Sequence, residues 1–143
     1  MNALAARHPL ADAVTTLFQH EHRRWESSLT ALRQALASWK EVRAAWLYGS
    51  VARGDDRPHS DFDLLLVVKD DDIDVLHRIR DAVQALGDRL HMPFSAVVLS
   101  PAELAAVRKD DPWWIEVLRD AKDLKGLGPA KERAACVGLA EAA

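Results

Sequence analysis

The sequence predicts an α/β (α+β) fold in which short apolar strands alternate with amphipathic helices. Three runs, Val42–Tyr48, Phe62–Val68 and Phe94–Leu99, are apolar and rich in branched or aromatic side chains, as buried strands require. The segments before and between them place apolar residues three and four apart, the repeat of a helix that buries one face. A length of 143 residues fits one domain of the commonest size with a single core.

Taken in order, Pro9 to Lys40 carries Leu10, Val14, Leu17, Trp25, Leu29, Leu32, Leu36 and Trp39 at helical spacing, with a break expected near His20 to Arg24. Residues 1–40 therefore read as an N-terminal helical segment packed on a core at 41–125. Val42 to Tyr48 is the first strand and Phe62 to Val68 the second. Lys69-Asp70-Asp71-Asp72 is a polar turn. Ile73, Leu76, Ile79, Val83 and Leu86 then mark a helix expected to stop at Gly87, because glycine commonly ends helices. Phe94 to Leu99 is the third strand. Ser100-Pro101-Ala102-Glu103 has the form of a capping box with proline at the first helical position, and Asp111-Pro112 opens another helix the same way. From Gly126 onward the signal fades, so residues 126–143 read as a weakly ordered tail.

Charge and cysteine content narrow the function. With 19 basic and 22 acidic residues the formal net charge is −3, which gives no electrostatic footprint for long nucleic acid. A single cysteine, Cys136, forms no intrachain disulfide, and neither an eighteen-residue apolar run nor a signal-like leader is present. The expectation is a cytoplasmic protein that engages no membrane.

The chemistry concentrates between Leu47 and Val68. Gly49-Ser50 follows the first strand and Asp61-Phe62-Asp63 opens the second, so the two groups fall at neighbouring strand ends. Residues i and i+2 of a strand share a face, which sets the Asp61 and Asp63 carboxylates side by side. Carboxylate oxygens are the hard ligands Mg²⁺ takes when it also keeps waters and substrate phosphate oxygens. Gly49 permits close backbone approach, and Ser50 offers a hydroxyl and an N–H to a phosphate. No Gly-Lys-Ser/Thr follows the glycine, so a P-loop is excluded.

Gly49-Ser50, the spacer Val51 to Ser60, and Asp61-Phe62-Asp63 together resemble the signature of the DNA polymerase β-like nucleotidyltransferase superfamily. The flanks, Ala52-Arg53-Gly54 and Ser60 ahead of the first Asp, look like its minimal nucleotidyltransferase branch, whose members often work beside HEPN-domain partner proteins. The resemblance implies a small mixed sheet flanked by helices. It also implies a site in which Gly49, Ser50, Arg53 and Ser60 bind the nucleotide while Asp61 and Asp63 are the catalytic, metal-holding pair. Family members usually carry a third carboxylate on the strand after the intervening helix. That strand reads Phe94-Ser95-Ala96-Val97-Val98-Leu99, with Ser95 where the third acid belongs. Glu103 and His91 lie nearby in sequence, but the first suits the capping box and the second a loop before Pro93.

The function implied is Mg²⁺-dependent transfer of a nucleoside monophosphate, AMP from ATP, to a hydroxyl acceptor, in the setting of an antitoxin modifying a HEPN-type toxin. The competing expectation is a protein that keeps the fold and acts by masking a partner, which the vacancy at Ser95 favours. Transfer to an aminoglycoside-like antibiotic is weaker, because such enzymes usually need a further substrate domain. A homo-oligomer stays open. Among other residues, Arg53 sits where a short helical turn carries its guanidinium back toward phosphates, and this is favoured over a surface pair with Asp55 or Asp56. His20 and His22 point to different helix faces and read as solvated. His59, in the motif loop, reads as exposed. Of Trp113 and Trp114, one belongs in the core and the other is free to cover a partner surface.

Overall fold

The three apolar runs do form strands, and a fourth, polar one joins them. In a computed structural model of the chain the described residues are 13, 26–53 and 61–142. The chain divides into two units, Met1–Leu32 and Arg33–Ala143. Of the first unit, residue 13 and residues 26–32 are described and helical. The rest of the N-terminal helical expectation, with His20, His22 and Trp25, lies outside the described residues.

In the second unit, helical residues 33–38 lead to β1 (Val42–Tyr48), the short α1 (Gly49–Arg53), β2 (Phe62–Val68), α2 (Ile73–Leu90) and β3 (Phe94–Leu99). Then follow α3 (Pro101–Ala106), α4 (Pro112–Asp120), β4 (Lys122–Lys125) and α5 (Pro129–Ala142). The sheet order is β3-β2-β1-β4. β1 runs antiparallel to β2 and β4, whereas β2 and β3 are parallel, so the sheet is mixed. Both faces are covered, because every residue of β2 from Leu64 to Val68 is buried, whichever way it points. One face carries Ala44, Trp46, Tyr48, Leu65 and Val67 against Leu104 of α3, Trp114 and Val117 of α4 and Cys136 of α5. Among the described residues no helix is long and apolar enough to cross a membrane.

The caps form as the sequence predicts. Ser100 and Glu103 exchange hydrogen bonds with each other's backbone N–H at the start of α3, which accounts for Glu103. Asp111 accepts from the Trp113 N–H at the start of α4. Two expectations fail. The helix after β2 does not stop at Gly87 but continues to Leu90, where His91 ends it in the left-handed conformation at φ 54°. Gly87 is there for proximity: a Cβ would lie 2.8 Å from the Met92 carbonyl oxygen and 2.9 Å from the Phe94 ring. The weakly ordered tail is instead helix α5, anchored by the buried Cys136 and Glu132. Glu132 accepts from the Arg43 Nε at 2.6 Å and from the Leu127 N–H at 3.1 Å. Glu132→Ala leaves Arg43 and that N–H without these partners in a part-buried place, and the expected cost is about 3 kcal/mol. A drop in the urea midpoint with an unchanged slope checks it.

Candidate active site

β1 delivers its last residue, Tyr48, directly into Gly49, whose φ is +79°. Residues with a Cβ rarely adopt that backbone conformation, so the chain turns from strand to α1 only because residue 49 is glycine. The same glycine has a second reason. A Cβ built on it would collide with the Asp63 Oδ2 and lie 3.2 Å from the Asp63 carboxyl carbon. The Asp63 carboxylate therefore rests on the bare Cα of the Gly-Ser turn. Sheet register brings this about: Tyr48 is the antiparallel partner of Asp63, and Ser95 is its parallel partner on the other side. Ser95 does stand beside Asp63, and it is exposed.

Asp63 is half-buried and Asp61, just ahead of β2, is exposed. Burial pushes the Asp63 carboxyl above its ordinary range, the negative charges of Glu116 and Asp61 push it further, and Arg53 partly offsets them. Gathered like charges on hard oxygen donors are what a divalent cation relieves. Two carboxylates are the kind of hard donors that Mg²⁺ takes when it also keeps water and phosphate oxygens. Among the described residues no three His, Cys, Asp or Glu side chains group closely enough to hold a metal by themselves. Ser60 and His59 lie outside the described residues, as do Asp55 and Asp56.

Arg53, the last residue of α1, donates from Nη1 to the Asp120 Oδ2 at 2.7 Å and stands 3.9 Å from the Glu116 Oε1. Both of these carboxylates belong to α4. Asp120 is buried and also takes two hydrogen bonds from Arg119. Those bonds, with Arg53, hold its carboxyl below the usual range against the opposing effect of burial. Of the tryptophan pair, Trp114 is core, as expected of one of the two, while Trp113 is half-buried, donates from Nε1 to the Tyr48 hydroxyl at 3.1 Å and packs edge-on against that ring. Glu116 was not legible as a site residue. Its approach to Arg53 depends on how α4 docks on the sheet, and only the helical spacing from Trp113 through Glu116 to Asp120 hints at a common face.

On a small mixed sheet, a glycine-serine turn at one strand end thus seats a carboxylate from the next. The family model described as polymerase beta nucleotidyltransferase matches residues 30–109, more than half of the chain, and the chain belongs to that family. No curated protein matches it by sequence. Among solved structures, the chain is similar to one in a mutant of the toxin–antitoxin MntA-HpeT, at 11% identity and a TM-score of 0.48 over 80% of this chain and 86% of that one. It is also similar to a chain of the toxin–antitoxin with AMP-PNP, at 15% identity and a TM-score of 0.43 over 81% and 86%. A third is a tri-AMPylated Shewanella oneidensis HEPN toxin in complex with an MNT antitoxin, at 12% identity and a TM-score of 0.45 over 81% and 86%.

Proposed function

We propose that the protein transfers a nucleoside monophosphate, AMP from Mg²⁺-bound ATP, to a hydroxyl of a HEPN-type partner protein, as the antitoxin of a pair. The observation that carries the chemistry is the Asp63 carboxylate seated on the Cα of Gly49, which fixes metal ligand and phosphate-binding turn relative to each other. The minimal-branch flanks of the motif support the partner.

Asp61 and Asp63 would hold the metal, which supplies charge neutralisation to the triphosphate when bound. The Ser50 N–H and hydroxyl orient phosphate oxygens at the turn. Arg53 lies four residues beyond Gly49 and is steadied by Asp120, and its guanidinium would pair with the same oxygens. The buried neighbours Tyr48 and Gly49 keep water from the inner side of Asp63. Attack of the acceptor oxygen in line on the α-phosphorus then releases pyrophosphate.

A second reading, masking of a partner without transfer, is favoured by one feature, the serine in register with Asp63 where the family resemblance implies an acid. Intact-mass measurement separates the two. After incubation with Mg²⁺ and ATP, a HEPN-type protein encoded beside this one should gain the mass of one or more AMP groups. A partner that is bound and neutralised without added mass contradicts transfer.

A further inference from the structure

The vacancy at Ser95 leaves the proposed transfer without a strand-borne base, and the docking of α4 supplies another carboxylate. Two latches fix the helix. At its first turn the Trp113 Nε1 bonds to the Tyr48 hydroxyl, and Tyr48 is the sheet partner of Asp63. At its last turn Asp120 bonds to Arg53, four residues after Gly49. Glu116 lies three residues after Trp113 and four before Asp120, so all three share the helix face turned to the Gly-Ser corner. The face of the sheet that α4 covers is the one to which Tyr48 and Asp63 belong, together with Leu65 and Val67. Glu116 is part-exposed, with its side chain at 39% of full accessibility, and can still be reached by an incoming group. It stands beyond residue 109, where the family match ends.

We infer that Glu116 serves as the general base of this chain, taking the proton of the acceptor hydroxyl in place of the missing acid on β3. The inference rests on the nucleotidyltransferase reading. The acceptor O–H bond breaks and its proton passes to a Glu116 carboxylate oxygen. The electron pair left on the acceptor oxygen forms the new bond to the α-phosphorus. The bond from that phosphorus to the bridging oxygen breaks, and its pair leaves on pyrophosphate. The contact of Glu116 with Arg53, at 3.9 Å, is looser than that of Asp120 at 2.7 Å, so Glu116 is the carboxylate that can let go of the guanidinium.

The test uses the full chain with Mg²⁺, ATP and the HEPN-type protein, reading both AMP transfer and the melting-temperature gain from Mg²⁺-ATP. Glu116→Gln is expected to lower transfer by about 10²- to 10⁴-fold, the usual loss for a general base, while the melting gain stays. Glu116→Asp should keep part of the rate. Ser95→Asp placed in the Glu116→Gln background should recover transfer, because it returns a carboxylate next to Asp63. Wild-type transfer by Glu116→Gln overturns the inference. So does loss of transfer and melting gain together, which would make Glu116 a support for Arg53. A wild-type chain that binds Mg²⁺-ATP and transfers nothing overturns the nucleotidyltransferase reading itself, and this inference with it.

Discussion

Asp63→Asn should abolish transfer, by about 10³-fold or more, and remove the melting gain that Mg²⁺-ATP gives the parent. At saturating nucleotide that gain corresponds to about 2.7 kcal/mol when ligand stands at a hundred times its dissociation constant. The same substitution should stabilise the ligand-free protein at neutral pH. Burial and two neighbouring carboxylates raise the folded-state pKa of Asp63 above its ordinary 3.8. Whatever stability the group contributes is therefore complete below the unfolded value and is lost as pH rises through the folded one. At pH 7 the folded chain carries an ionised carboxylate it holds poorly, and asparagine removes that penalty. Melting curves of both proteins from pH 3 to pH 7 should start together and separate in favour of the mutant. A parent that melts higher than Asp63→Asn at pH 7 without ligand would contradict the electrostatic account.

Gly49→Ala should also destroy activity, with the opposite effect on stability. A Cβ at φ +79° costs about 1–2 kcal/mol in backbone strain, and this one also displaces the Asp63 carboxylate from its seat. The melting temperature should fall by roughly 5 °C. Transfer should fall about 10²-fold or more, because a metal ligand moved by a fraction of its own size no longer holds the nucleotide in line. The pair of variants thus separates two ways of losing the same site. An alanine variant with parental transfer would show that Asp63 does not depend on the glycine.

Much of this arrangement was legible in the sequence because it is written locally. β1, β2 and β3 announce themselves as apolar runs, the caps of α3 and α4 as Ser-Pro-x-Glu and Asp-Pro, and the candidate site as Gly49-Ser50 with Asp61 and Asp63 at adjacent strand ends. What was not legible depends on the finished packing. β4 is the polar Lys122-Asp123-Leu124-Lys125, an edge strand that only its pairing with β1 reveals. Helix α5 has no sharp apolar stripe and is held through Cys136 and the Glu132–Arg43 pair, which join positions far apart in the chain. Gly87 looked like a helix stop because the neighbours that demand it, Met92 and Phe94, come after the helix has turned back. Glu116 belongs to the same class, since its place beside Arg53 depends on the long-range contacts that dock α4.

Transfer with radiolabelled ATP tests the central claim most directly. ATP labelled at the α-phosphate, Mg²⁺, this protein and the HEPN-type partner should give a labelled partner, while ATP labelled at the γ-phosphate should leave the partner dark and put the label in pyrophosphate. Label arriving from the γ-phosphate, or none arriving from either, would contradict nucleotidyl transfer at the Gly49–Asp63 site.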